Sequence, residues 1–161
     1  MAVIVEIRTA VPGDARAIAS VLAKALAEYE SLYTTEAFAA TTPAEATIRE
    51  RFSEGKTWIA LSEEKIAGTV SVVPENGFLY VRSMAVLPVA RGHRIGERLL
   101  AEIENYAVAG GFEHLTLSTT PFLNRAIRLY EKFGFVVNGS LDLYGTPLIK
   151  MVKNLGTVED Q

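Results

Sequence analysis

The order of strand and helix patterns after residue 57 constrains the fold of this chain more than any other feature. Three apolar runs, at 58–61, 66–73 and 78–86, are separated only by short polar turns. Consecutive strands joined by such turns must be antiparallel. A helical pattern and a further apolar run around Leu117 come next, which predicts a right-handed crossover to a parallel strand. The sheet is therefore predicted to be mixed.

An opening strand and two helices are predicted before these strands. Alternating apolar residues at 3–7 predict the strand. A turn at 11–14 then precedes apolar residues at helical spacing, and Asp14 is the expected N-cap of that first helix. The capping-box pattern at 42–45, with proline at the first helical position, predicts a second helix that ends near Gly55.

The C-terminal third is predicted to add one more helix and two strands. Helical spacing at 126–133 is followed by apolar runs within 135–143 and 148–152. The fold class is therefore α/β (α+β), with a central mixed sheet of about seven strands flanked by about four helices. A single domain is expected over residues 1–155, with 156–161 as a frayed polar tail.

Composition argues against several classes of function. The net charge of −3 disfavours a general nucleic-acid binder, whose surface must be basic to neutralise phosphates. The chain has no cysteine and only two histidines, so disulfides, thiolate nucleophiles and a metal site are not expected. No run approaches the roughly 20 apolar residues of a membrane span, and no secretory leader is recognised. We expect a cytoplasmic protein without membrane or nucleic-acid partners.

The connection between the strand at 78–86 and the next helix is rich in glycine and basic residues. Residues 91–96 include two glycines, two arginines and one histidine. Free backbone N–H groups at a helix start attract anions, and glycine lets the backbone approach a ligand closely. A phosphate site is one interpretation, and a solvated basic helix face is the other. The segment has neither the dinucleotide-binding pattern nor the P-loop pattern.

Residues 91–96 resemble the pyrophosphate loop of the GCN5-related N-acetyltransferase (GNAT) family, whose pattern is Q/R-x-x-G-x-G/A. Arg91 and Gly96 match it, whereas Arg94 stands where the family usually has glycine. The segment at 124–135 is similar to a second family signature, N-x-x-A-x-x-L-Y-x-x-x-G-F. The two segments occur in the family's order, and the predicted elements match its fold. The resemblance therefore covers nearly the whole chain.

This resemblance implies an enzyme that transfers an acetyl group from acetyl-CoA directly to a primary amine of a small molecule or peptide. Acetyl-CoA would be the acyl-donor cosubstrate, and no metal is implied. Backbone groups of the strand would hold the pantetheine arm, and the loop would take the pyrophosphate. The implied cofactor-binding residues are Met84, Ala85, Val86, Arg91, Gly92, His93, Arg94, Ile95, Gly96 and Asn124.

Tyr130 matches the family's general acid, which protonates the departing CoA thiolate. A tyrosine near its ordinary pKa of about 10 is protonated at neutral pH and can donate. Tyr130 also falls on an apolar helix face with Ile127 and Phe133, so a core role is the alternative. Asn124 has the alternative of an ordinary helix N-cap.

The general base is not assigned from the sequence. The strand at 78–86 contains no carboxylate. A water chain to solvent could accept the amine proton, as could one of three carboxylates near the first helix, which are candidates by fold analogy: Glu28, Glu30 and Glu36.

Two other functions stay open at this point. One is a non-catalytic acyl-CoA-binding regulatory module, and the other is a protein lysine or N-terminal acetyltransferase. Residues 31–42 are expected to shape the acceptor pocket, and a homodimer through the late strands, at 136–153, is an open expectation. Four arginines oppose a single glutamate between positions 82 and 98, which suits an anionic cofactor: Arg82, Arg91, Arg94 and Arg98.

Overall fold

The computed structural model describes residues 4–156, which form one seven-stranded sheet with helices on both faces. The strands are β1 (Val5–Thr9), β2 (Thr57–Ser62), β3 (Lys65–Pro74), β4 (Phe78–Val86), β5 (His114–Thr119), β6 (Val136–Leu143) and β7 (Thr146–Asn154). The α-helices are α1 (Ala15–Leu26), α2 (Thr35–Thr41), α3 (Glu45–Arg51), α4 (Ile95–Ala109) and α5 (Asn124–Lys132). The predicted polar tail, apart from Gly156, and the start of the predicted first strand at residue 3 lie outside the described residues.

The strand order confirms the predicted mixed sheet. The strands lie in the order β1-β2-β3-β4-β5-β7-β6. Strand β4 pairs with β5 in parallel, and the remaining neighbours pair antiparallel. The parallel pair is the one joined by α4, as a crossover connection requires. The predicted α/β (α+β) class is therefore confirmed.

The segment before β2 contains one more helix than the sequence predicts. Helix α2 was not predicted, and it begins with Thr34, whose Oγ1 accepts a hydrogen bond from the N–H of Ala37. The predicted capping box at 42–45 is wrong, because Thr42 Oγ1 donates to the carbonyl of Phe38 at the end of α2. Helix α3 begins after Ala44 without a side-chain cap and ends at Arg51, earlier than predicted.

Asp14 is the residue directly before α1, as predicted for its N-cap, but its side chain makes no capping hydrogen bond to that helix. Residues 12–14 form a short 3-10 turn that runs directly into α1, so Asp14 already has helical backbone angles. Its carboxylate instead accepts the N–H of Val11 at 2.9 Å and pairs with Arg8 at 2.9 Å. The hydrogen bond from Arg8, followed by that from Val11, holds the Asp14 pKa below its ordinary value against the opposing effect of burial.

Two apolar clusters hold the layers together. On one face of the sheet, α4 contributes Ile95, Leu99, Leu100 and Ile103, each at most 2% exposed. On the other face, α1 packs Ile18 and its apolar neighbours against Ile48 of α3 and Ile59 of β2. Each fully buried Leu or Ile side chain contributes about 1.5–3 kcal/mol. No helix within residues 4–156 is long and apolar enough to span a membrane.

Candidate active site

The two parallel strands at the centre of the sheet separate part-way along their length. Their pairing extends only over Phe78–Tyr80 of β4 and His114–Thr116 of β5. Strand β4 continues to Val86 and β5 continues to Thr119, so the facing edges beyond that point have no strand partner within the described chain. Backbone N–H and C=O groups at such an edge are free to bond a ligand.

Strand β4 also contains a bulge just where the strands separate. Between the pairs Thr69–Ala85 and Ser71–Arg82, β4 has one residue more than β3. Ser83, inside this interval, has a positive φ of 57°, a backbone conformation that costs about 1–3 kcal/mol for a non-glycine residue. The extra residue reverses the alternation of side chains beyond it, as β-bulges do next to functional sites.

The basic loop leads directly into α4. Gly92 has φ 92° and Arg94 has φ 59°, so Arg94 adopts the left-handed conformation that glycine would take without cost. The first hydrogen bond into the helix runs from the N–H of Arg98 to the carbonyl of Arg94. The N–H groups of the first helical turn therefore have no intrahelical acceptor, and the positive end of the helix dipole lies at the loop.

Gly96 lets the start of α4 approach α5 closely. A β-carbon added there would lie 2.8 Å from Cδ2 of Leu129 and 3.3 Å from Cε of Met84. Any larger residue would have to displace these side chains. The glycine is therefore required by close packing, since its φ does not lie in the left-handed region.

A cavity of about 340 Å³ lies in front of this loop and the separated end of β4. It is closed by the end of α1, the residues that follow it, and α5. Nine of the residues predicted from the sequence line it: Met84, Ala85, Val86, Arg91, Gly92, Arg94, Ile95, Gly96 and Tyr130. Two predicted residues, His93 and Asn124, are exposed and do not line it.

Tyr130 is a buried residue that lines this cavity. Its side chain is 7% exposed and packs edge-to-face on Phe135, with ring centroids 5.8 Å apart. Burial, with a smaller contribution from Tyr33, raises the pKa of Tyr130 to about 12. The phenol therefore keeps its proton throughout the neutral range and can act as a donor.

A model of the acetyltransferase (GNAT) family matches residues 19–135, which is more than half of the chain and includes both the basic loop and Tyr130. The chain belongs to the GNAT family.

Individual GNAT relatives match smaller parts of the sequence. An IAA acetyltransferase from Azospirillum brasilense is 41% identical over 78 residues, which are 48% of this chain and 51% of that protein. The uncharacterised N-acetyltransferase YjgM from Escherichia coli is 32% identical over 82 residues, 48% of this chain and 49% of its own length. The chain therefore spans about half the length of the curated relatives that it matches.

Solved GNAT structures share the whole fold at low sequence identity. The ribosomal-protein-S18-alanine N-acetyltransferase from Escherichia coli has a TM-score of 0.80 and 17% identity, covering 96% of each chain. The PaiA N-acetyltransferase from Thermoplasma acidophilum, solved in complex with coenzyme A, has a TM-score of 0.73 and 20% identity, covering 94% of this chain and 99% of that one.

A second cavity, of about 580 Å³, is also lined by Tyr130 in this GNAT fold. We call the first space the loop cavity and this one the cleft cavity. The cleft cavity lies between the separated strands β4 and β5 and is bordered by β6 and β7. The two cavities share five lining residues, so they meet around Tyr130: Leu26, Met84, Leu123, Ala126 and Tyr130.

The residues predicted to shape an acceptor pocket contribute in part to the cleft cavity. Tyr33, Ala40 and Thr41, within the predicted segment at 31–42, line it. Burial, the largest effect, raises the pKa of Tyr33, while the nearby hydroxyls of Thr120 and Thr41 act in the opposite direction. Thr120 Oγ1 lies close to Tyr33 but has no hydrogen bond of normal geometry within the described chain.

The arginines grouped together in the sequence do not form one cluster. Arg91 lines the loop cavity but pairs with Glu28 at 2.8 Å, which offsets its charge. Arg98 contacts the carbonyl of Val5 and does not line the loop cavity. Arg82 lines the cleft cavity instead, because it lies on the N-terminal side of the bulge in β4.

The structure adds Arg51 and Tyr29 to the site, and no local sequence pattern indicates either residue. Arg51, at the end of α3, lines the cleft cavity together with Arg82. Its position depends on α3 folding against the sheet face that β4 exposes, and no local motif encodes that contact. Tyr29 and Arg125 line the loop cavity.

The three carboxylates considered as a general base line neither cavity, and each is exposed: Glu28, Glu30 and Glu36.

Proposed function

We propose that this chain catalyses transfer of an acetyl group from acetyl-CoA to a primary amine, at the point where the two cavities meet. The observation that carries the proposal is the position of Tyr130, a protonated phenol that lines both the loop cavity and the cleft cavity. A group that protonates the leaving thiolate must reach the donor and acceptor sites together.

The loop cavity fits the chemistry of CoA. Free N–H groups at the start of α4 suit a pyrophosphate, and Gly92 and Gly96 let the backbone come close to it. The unpaired edge of β4 at 84–86 suits the amide groups of the pantetheine arm. Arg91, Gly92, Arg94, Ile95 and Gly96 would hold the phosphates. The roles of His93 and Asn124 stay predictions, and both would need a ligand that extends beyond the cavity.

The transfer itself forms one bond and breaks another. Acetyl-CoA supplies an acyl group activated as a thioester. The amine nitrogen bonds to the carbonyl carbon, the carbon–sulfur bond breaks, and the thiolate takes the Tyr130 proton. N–H groups of the β4 edge would stabilise charge that develops on the carbonyl oxygen. No covalent intermediate on the protein is needed, and none of the described cavity residues is a cysteine.

The acceptor amine must lose its proton to a group other than a cavity carboxylate. Glu97 is the one carboxylate that lines the loop cavity within residues 4–156, and it pairs with Lys132 at 2.8 Å. The described lining of the cleft cavity contains no Asp or Glu. We propose that water in the cleft carries the proton to solvent, and Tyr130 is then regenerated from solvent.

The lack of a carboxylate base also favours a second candidate, a regulatory module that binds acyl-CoA without turning it over. The two candidates differ in one measurable property, the release of free thiol. The acceptor in the first candidate is a small molecule or a peptide amine, and a protein lysine or N-terminus is included in that range.

Titration calorimetry with acetyl-CoA, using NAD and ATP as controls, tests the proposed cofactor. Selective binding of acetyl-CoA is expected, followed by thiol release when an amine panel is added. Binding without thiol release for any amine would support the regulatory module. If neither acetyl-CoA nor a longer acyl-CoA binds, the proposed function is wrong.

A homodimer through the end of the sheet is a further part of the proposal. Strand β6 is the last in the strand order, and Val136, Val137 and Leu141 on it are exposed. An exposed apolar edge strand is a common site of pairing between chains. Sedimentation of the purified protein is expected to give twice the mass of the chain, and a monomer at micromolar concentration would exclude this arrangement.

A further inference from the structure

The cleft cavity carries positive charge without a lining carboxylate. Its walls include Arg51, Arg82 and Lys150, and its described lining residues include no Asp or Glu. The chain as a whole has a net charge of −3, so the charge of this cavity is opposite to that of the protein. A cleft lined by one sign of charge concentrates ligands of the other sign.

Arg51 is held in the cavity wall without a neutralising partner. Its Nη1 donates a hydrogen bond to Ser83 Oγ at 3.0 Å, and it forms no ion pair with any carboxylate of residues 4–156. Burial, followed by the charge of Arg82, lowers the Arg51 pKa. A guanidinium nevertheless stays protonated, so this half-buried positive charge has no direct ion-pair partner within residues 4–156.

Arg82 has a carboxylate partner on one side only. Its Nη2 pairs with Glu54 Oε1 at 2.7 Å, and Glu54 is exposed and does not line the cavity. The Nε atom of Arg82 is buried and has no hydrogen-bond partner in the described chain. Two arginines and one glutamate therefore leave a net positive charge beside the cavity. The unsatisfied buried Nε–H group of Arg82 adds to the free-energy cost of burying this charge.

The wall formed by β5 is polar and uncharged. Ser118 and Thr119 line it, as does Thr120 directly after β5, which is 2% exposed and whose hydroxyl has no hydrogen bond of normal geometry within residues 4–156. Lys150 lies across from Ser118 on the neighbouring strand β7 and is exposed. Hydroxyl groups next to cations favour a polar anionic ligand over an apolar one.

We propose, on the basis of the acetyltransferase function proposed above, that the acceptor amine also carries a carboxylate, which binds at Arg51 and Arg82. Planar guanidinium groups bind carboxylates through two parallel N–H···O bonds. A volume of about 580 Å³ suits a small molecule, since such sites occupy about 300–1,000 Å³. The acceptor class is therefore a small amino carboxylate, with its amine towards Tyr130 and its carboxylate towards Arg51.

Matched acceptors test this proposal directly. Each amino acid of a panel is compared with its own carboxamide, and thiol release from acetyl-CoA gives kcat/KM for both. At least one amino acid is expected to exceed its amide by 10-fold or more. The R51Q variant is expected to remove most of this preference by raising KM for the amino acid. A cooperative thermal unfolding transition like that of the wild type reports that the variant is folded.

Two further variants refine the test. R51K keeps the charge but not the paired donors, so it is expected to fall between the wild type and R51Q. R49Q is the control, because Arg49 lies on the same helix, is exposed, and does not line the cavity. Equal preference for the amino acid in R51Q and R49Q would overturn the proposal.

A binding measurement separates failure of this inference from failure of the proposed function. N-acetylated amino acids and their amides are titrated calorimetrically into the protein with CoA present. Tighter binding of the acids, lost in R51Q, would support the carboxylate site even if no amine were acetylated. Acetyl-CoA-dependent thiol release that ignores the acceptor carboxylate would overturn the inference and leave the proposed function intact.

Discussion

Replacing Tyr130 by phenylalanine is predicted to remove a loss of stability at alkaline pH. The Tyr130 pKa is about 12 in the folded chain, mainly because of burial, and about 10 in the unfolded chain. The unfolded chain therefore releases this proton at lower pH than the folded chain. The stability from the protonated buried phenol is complete below about pH 10 and is lost as the pH rises towards about 12.

The size of this loss follows from the difference of about two between the folded and unfolded pKa values. A difference of one between the two pKa values corresponds to about 1.36 kcal/mol. The total loss in the free energy of unfolding is therefore roughly 2.7 kcal/mol, of which about 1.4 kcal/mol occurs by about pH 11. Urea unfolding at about pH 8 and pH 11 measures it. The Y130F variant lacks the ionisable hydroxyl, so its loss over this range is expected to be smaller than that of the wild type by this amount.

The Y144F variant is the control, because the Tyr144 ring is 65% exposed and should behave as the wild type does. Other buried titrating groups are the same in all three proteins and cancel in the comparison. Equal losses in the wild type and Y130F would show that Tyr130 ionises as an ordinary tyrosine, and the account of a buried, protonated phenol would be refuted.

Two further predictions concern backbone positions. Gly55→Ala is expected to destabilise the protein by at least about 2 kcal/mol, because the added β-carbon would overlap the main-chain carbonyl of Val72; Gly13→Ala, with no atom within 4 Å, is the control in thermal melting. Arg94→Val is expected to be roughly 1–2 kcal/mol less stable than Arg94→Gly, since a β-branched residue fits the left-handed conformation poorly. Equal stability of the two Arg94 variants in urea would contradict the backbone conformation described for the loop.

The sheet could be predicted from the sequence because its signals are local. Strand β4 agrees with its predicted bounds, and Gly110 ends α4 at the predicted stop. Turn lengths determine which strands are antiparallel, and the helix after β4 determines the crossover. The incorrect predictions concern side chains that form hydrogen bonds other than the predicted capping bonds. Thr42 bonds backward to α2, and Asp14 bonds to Arg8, so both depart from capping roles that their sequence context favours.

The two cavities of the candidate site also differ in how much of their lining could be predicted from the sequence. The loop cavity is built mainly from two continuous segments, around residues 84–97 and 123–130, so the resemblance to a known family found nine of its lining residues. The cleft cavity draws on α1, α2, α3, α5 and four strands, and Arg51 meets Arg82 only through tertiary packing. Sequence spacing grouped Arg82 with the phosphate loop because it is near in the chain, and the bulge in β4 places it elsewhere.

Thiol release by the Y130F variant tests the central claim most directly. The account predicts that kcat falls by about 100-fold or more, as expected for loss of a general acid, while the Kd for acetyl-CoA stays within about twofold. The Y29F variant, altered at a tyrosine that lines only the loop cavity, should keep its kcat. Wild-type turnover by Y130F across the pH range would contradict the proposed role of Tyr130 as the acid at the junction of the two cavities.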